Sequence, residues 1–135
     1  MTSGVPRAVT ALLLGGVVAA GLGARAVLPG AVGGPLGDAL YATLVVLLIV
    51  FVRPRTSPAA AALAGFAICL AIELFQLTPV SAVVVAGFPP ARYVLGTTFW
   101  APDLVCYAAG AALGGILCRS ATRRGAARGR VPSAP

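Results

Sequence analysis

Apolar residues gather in four runs, at 8–24, 36–52, 58–77 and 102–118, with polar or helix-breaking residues between them. Runs of about 17 to 20 residues rise roughly 25–30 Å as helix, just enough to cross a bilayer core. The pattern predicts an all-α fold: a four-transmembrane-helix bundle in one integral membrane domain, 1–118. The first run follows Pro6 and Arg7 and repeats small residues at Gly15, Ala19 and Gly23. A cleaved signal peptide would open similarly. The four-residue recurrence favours a retained helix whose small face packs closely on a neighbour. Arg25 and the Gly/Pro-rich segment 29–35 then break the chain. In the second run the centre, 43–51, is β-branched and leucine-rich without a polar face, so it is expected to touch lipid widely. Pro58 opens the third run, as proline suits a helix's first turn, and Thr78-Pro79 closes it.

Between the third and fourth runs, the apolar segment 81–87 is too short to span, and Phe88-Pro89-Pro90 interrupts it. Tyr93, Phe99 and Trp100 suit a membrane–water boundary, where amphipathic rings concentrate. This connection is expected to be an interfacial or re-entrant loop. From Arg119 onward Arg, Gly, Ala, Ser and Pro dominate, and 119–135 is expected to be a basic, disordered tail.

Composition removes the soluble alternatives. The chain has 135 residues, 59% hydrophobic, and only ten basic and three acidic residues to cover a water-facing surface. Soluble domains are roughly a quarter charged. The net charge of +7 could mark a nucleic-acid surface, but all ten basic residues are Arg and five lie at 119–130, beside a membrane run. No nucleic-acid partner is expected. The three Cys (Cys69, Cys106, Cys118) form no Cys-x-x-Cys and the chain has no His, so neither a metal site nor a cofactor is expected.

The Arg distribution also orients the helices. With the N-terminus in the cytoplasm, Arg7, Arg53, Arg55 and the five Arg of 119–135 lie inside, while Arg25 and Arg92 lie outside. The positive-inside rule therefore puts both termini in the cytoplasm.

That topology turns sequence position into depth. Asp38 starts the second helix outside, Glu73 and Gln76 end the third there, and Asp103 starts the fourth. Every acidic residue thus shares a layer with Arg25 and Arg92. Helical spacing adds rotation. Asp103, Tyr107, Gly110, Gly114 and Cys118 share one face of the fourth helix; Gly65, Cys69, Glu73 and Gln76 share one face of the third. Asp38 and Tyr41 lie three apart on the second. Faces that mix small and polar residues point into bundles. The expected site is therefore an outer polar pocket of Glu73, Gln76, Asp103, Asp38, Arg25, Arg92, Tyr107 and Tyr41.

Each residue also has a plainer reading. Asp38 and Asp103 suit helix starts, where acids complement the dipole and cap free N–H groups. Tyr41 and Tyr107 suit interface anchors. Glu73 is the exception, because near a helix C-terminus its charge opposes the dipole. A carboxylate in an apolar span marks a functional site by default. It needs Arg25 or Arg92 as partner, or must hold its proton.

The segments GDALYA (37–42), IELFQL (72–77) and LGTTFWAPDLVCYAAGAALG (95–114) resemble domain-of-unknown-function family 2809, a group of small bacterial membrane proteins. The Glu-x-x-Gln and Asp-x-x-x-Tyr-x-x-Gly spacings carry the resemblance, which covers about 36–117. The layout is also similar to VanZ-like proteins, which are associated with teicoplanin resistance. The resemblance implies a multi-pass protein of the bacterial cell membrane, with Asp38, Tyr41, Glu73, Gln76, Asp103 and Tyr107 as motif residues without roles. The loop 78–92 departs from the family pattern in being rich in Ala, Val and Pro.

Three functions remain open at this level. The outer pocket binds a lipid-linked or cell-wall component, or an antibiotic resembling one; or the chain is a structural or assembly subunit, in a homo- or hetero-oligomer; or it is a small proton-coupled transporter. Catalysis has the least support, since no Ser–His, Cys–His or metal arrangement accompanies the acids.

Overall fold

The computed structural model describes residues 4–96 and 98–128, and every regular element among them is helical. Four helices are long and apolar enough to cross a membrane: α1 (Arg7–Val27), α2 (Gly30–Val52), α3 (Pro58–Gln76) and α6 (Asp103–Arg128). Between α3 and α6 lie α4 (Pro79–Gly87), a 3-10 turn (Pro89–Ala91) and α5 (Arg92–Leu95).

Proline sets most of the boundaries. A residue before proline is pushed out of the α region, and Leu28 (φ −89°, ψ 146°) and Thr78 (φ −93°, ψ 148°) are extended before Pro29 and Pro79. Ser57 caps α3 by accepting from the Ala60 N–H at 3.2 Å, with Pro58 in the first turn.

Proline does not act everywhere as the sequence suggested. Segment 29–35, expected to be a break, is helical from Gly30 onward with Pro35 inside α2. Pro35 forfeits only the bond to the Ala31 carbonyl, and both residues are exposed. The expected tail also differs. α6 continues ten residues beyond Cys118 to Arg128, because Ala and Arg favour helix and no proline intervenes. Residues 129–135 lie outside the described residues. The connection between the third and fourth spans, expected as an interfacial or re-entrant loop, is built mostly of short helices; α4, at nine residues, rises only about 13 Å and cannot span.

α2 is the hub, touching α1, α3 and α6. Ala42, Thr43, Val46, Leu47 and Val50 are buried along it, so one face of the expected lipid-facing centre belongs to the core, while Leu48 on another face is exposed. Small residues on its neighbours make this possible. A Cβ at Gly65 would fall 2.5 Å from Val46 Cγ2, and one at Gly114 would fall 2.8 Å from Val46 Cβ. Val46 is thus a wedge between α3 and α6. Nearer the acidic end, a Cβ at Gly110 would come within 1.9 Å of the Ala39 carbonyl oxygen. The Thr43 hydroxyl seals that approach, 2.8 Å from Gly110 O and 3.0 Å from Ala39 O.

α1 packs chiefly against α2, and not through its expected small face. Gly15, Ala19 and Gly23 are exposed, with open space around Gly15 and Gly23. The contact runs instead through Thr10, Leu13, Leu14, Val17 and Ala24. A small residue permits close approach without requiring it, and the rotation of α1 is set by its larger apolar residues.

Candidate functional site

α2 and α6 start, and α1 and α3 finish, at the same end of the molecule, to which the register of Glu73 with Tyr107 and of Gly33 with Ala24 testifies. Asp38, Glu73 and Asp103 meet there within electrostatic reach of one another. Tyr107, Gly110, Gly114 and Cys118 of α6 are buried, as are Gly65, Cys69 and Glu73 of α3, so both mixed small and polar faces turn inward. Asp103 opens α6, where its charge complements the helix dipole. Asp38 is no cap: the early start of α2 puts it about 12 Å into the helix.

Glu73 is 1% exposed and has neither Arg as partner. Tyr107 on α6 donates its hydroxyl to Glu73 Oε1 at 3.1 Å. Glu73 Oε2 has no hydrogen-bond partner of good geometry among the described residues, although the Trp100 amide comes close to the carboxyl. Of the two alternatives for Glu73, pairing with Arg25 or Arg92 fails because each Arg is held elsewhere. Arg25 Nη2 lies 3.5 Å from Asp38 Oδ1. Arg92 Nη2 donates to Tyr93 Oη at 3.0 Å, with the guanidinium 4.9 Å from the ring centroid. Charge and hydrogen bond together lower the Tyr93 pKa below its usual value.

A cavity of about 380 Å³ opens at this end. Arg25, Asp38, Tyr41, Gln76, Arg92 and Tyr107 line it, together with Ile72 and the chain around α5. Six of the eight expected site residues thus share one wall. Glu73 and Asp103 do not reach it; Glu73 sits behind Tyr107 and touches the cavity only through that phenol.

The outer wall is held by bonds that helical spacing could not reveal. Tyr41 donates to the Val94 carbonyl at 3.1 Å, and Gln76 Nε2 donates to the Leu95 carbonyl. Both acceptors end α5, and Gly96 follows with φ +69°. Its positive φ favours glycine, and a Cβ there would lie 2.5 Å from Gln76 Nε2 and push that amide off the Leu95 carbonyl. Thr43 and Gly96 are therefore absent from the expected site, and Tyr93 was expected only as a boundary aromatic. Gly96 lies within the resemblance segment 95–114, while Thr43 carried no sequence signal.

The lining offers two cations, the Asp38 carboxylate paired with Arg25, an amide and phenols. Gln76 Oε1 is buried without a partner, while Arg92 has no carboxylate partner among the described residues. Such a set recognises phosphate or carboxylate oxygens through Arg and hydroxyl or N–H groups through Gln. The volume lies within the range of small-ligand sites, about 300–1,000 Å³.

No curated protein and no solved structure matches the chain. One family model does, over residues 27–111, from the end of α1 into the first third of α6. That match takes in seven of the eight expected site residues, all but Arg25. The chain belongs to the family described as protein of unknown function (DUF2809).

Proposed function

We propose that this is a multi-pass protein of the bacterial cell membrane, with both termini in the cytoplasm, whose outward-facing cavity binds an anionic, phosphate- or carboxylate-bearing component of the envelope. The orientation rests on Arg7, Arg53, Arg55, Arg119, Arg123 and Arg124 at one end against Arg25 and Arg92 at the other. One observation carries the binding role: Arg92, a cation without a carboxylate partner among the described residues, shares a cavity of about 380 Å³ with a Gln76 oxygen that is buried and unpaired. The test is a thermal-shift titration of the purified protein with glycerol 3-phosphate. Stabilisation that grows with ligand concentration is expected, lost in Arg92→Gln and weakened in Gln76→Ala. No shift at millimolar ligand, or one indifferent to both changes, removes the reading.

A second reading, a subunit of a membrane assembly, is favoured by the exposed Gly15, Ala19 and Gly23 face of α1. Such stripes let a second helix approach closely. Crosslinking through cysteines placed at Gly15 and Gly23 in native membranes tests it; absence of any adduct removes it.

A further inference from the structure

We propose that the occupant of the cavity is a phosphate-headed lipid, with one hydrocarbon chain lying in a groove between α1 and α2. This rests on the binding role proposed above and adds the ligand class. A second cavity of about 280 Å³ runs along the α1–α2 seam, walled by Val18, Gly21 and Leu22 on one side and Leu40 and Leu44 on the other. Its lining is predominantly apolar. It shares Arg25, Tyr41 and Tyr93 with the polar cavity, so the two spaces meet at one charged and two amphipathic side chains.

The residues at the junction are shaped for this. Arg25 lies across Gly37, where a Cβ would stand 2.8 Å from Arg25 Nε, and it lines both the polar and the apolar cavity. Gly21 leaves the groove open, since a Cβ there would meet only Leu40 Cβ at 4.0 Å. From Val17 to Arg25 the groove follows about 12 Å of helix, close to the thickness of one hydrocarbon leaflet. Its polar mouth lies at the end where Arg25, Arg92 and Tyr93 gather, the depth of headgroups and aromatic belts. A phosphate held by the planar forks of Arg25 and Arg92 would leave a chain directed down the seam. A soluble anion would leave the groove without an occupant, which is why two cavities that border on the same three side chains favour a lipid.

The experiment uses the full chain in phosphatidylcholine nanodiscs doped with phosphatidic acid that bears a diazirine on one acyl chain. After irradiation, adducts are mapped by mass spectrometry. Labelling several-fold higher at Val18, Leu22, Leu40 and Leu44 than at the exposed Leu63 and Ile116 is expected. The excess should vanish in Arg92→Gln and with phosphatidylcholine carrying the same diazirine. Val18→Trp plugs the groove at a position already 44% exposed, so the chain should still fold. It should abolish the excess while the glycerol 3-phosphate shift persists. Even labelling of all lipid-facing helices overturns the proposal. If glycerol 3-phosphate still stabilises the protein in that case, the cavity binds a soluble anion and only the lipid assignment falls; if it does not, both fall.

Discussion

Tyr107 on α6 donates its hydroxyl to Glu73 on α3 across 3.1 Å, in a region where Glu73 is 1% and Tyr107 7% exposed. The bond joins α3 to α6, and it turns the only acid of α3 away from the arginines. Removing one partner of a buried bond exposes the desolvation cost of the other, about 1–3 kcal/mol. Tyr107→Phe should therefore destabilise the protein by that amount, measured by reversible unfolding in mixed micelles. Glu73→Gln should cost less, since the amide keeps an acceptor for the phenol. In double-mutant cycles Glu73 should couple with Tyr107 and show no coupling with Arg92. Coupling between Glu73 and Arg92 would restore the loop-to-helix clamp that the sequence suggested.

Arg92 and Tyr93 make a prediction in pH. The hydrogen bond from Arg92 and then its positive charge favour the phenolate, so Tyr93 should ionise below the ordinary tyrosine value of about 10. The absorbance difference between the wild type and Tyr93→Phe isolates this titration from Tyr41 and Tyr107. Arg92→Gln removes the charge and replaces the guanidinium donor with a shorter neutral amide, so it should move the midpoint upward. A midpoint unaffected by Arg92→Gln would mean the two side chains do not meet in solution.

Depth was legible in the sequence and rotation only partly so. Once the spans are counted, Asp38, Glu73 and Asp103 fall at one end by arithmetic alone. The faces of α3 and α6 were also legible, because polar and small residues coincide on one stripe and both need the interior. On α1 the stripe of Gly15, Ala19 and Gly23 has no polar residue to demand burial, and it faces outward. The centre of α2 misled in the opposite direction. An unbroken apolar run suits lipid and core equally, and Gly65 and Gly114 on other helices decide the matter. The partner of Glu73 was hidden for a different reason. Which Arg reaches an acid depends on the path of the connection, and helical period carries no information about that path.

Gly96 offers a test of the wall built by that connection. Its φ of +69° with ψ −172° lies where side-chain-bearing residues are strained by about 1–3 kcal/mol. Gly96→Ala should lose stability of that order and also release the Gln76 and Tyr41 bonds to the Leu95 and Val94 carbonyls. Pairing it with Gln76→Ala removes the steric clash but leaves the backbone strain. The double variant should thus remain less stable than Gln76→Ala alone. Equal stability of the two would show that Gly96 serves only to make room for the amide.

Two glycines that look alike in sequence should respond oppositely to one methyl group. Gly110 and Gly15 both belong to small-residue stripes of helices long and apolar enough to cross a membrane. At Gly110 a Cβ would stand 1.9 Å from the Ala39 carbonyl oxygen, which is backbone and cannot rotate aside. Relief requires α6 to move off α2, stretching the Thr43 bond to Gly110 O and unseating Val46 from Gly114. Overpacking of this kind costs about 1–3 kcal/mol, occasionally more. At Gly15 nothing lies within 4 Å, so Gly15→Ala should be neutral or slightly stabilising through the better helix propensity of alanine, up to ~1 kcal/mol. Unfolding midpoints of the two variants in the same micelle decide the point. If Gly15→Ala proves the more damaging in native membranes but not in micelles, the methyl group is meeting a neighbouring helix from another chain, and the assembly reading gains its first direct support.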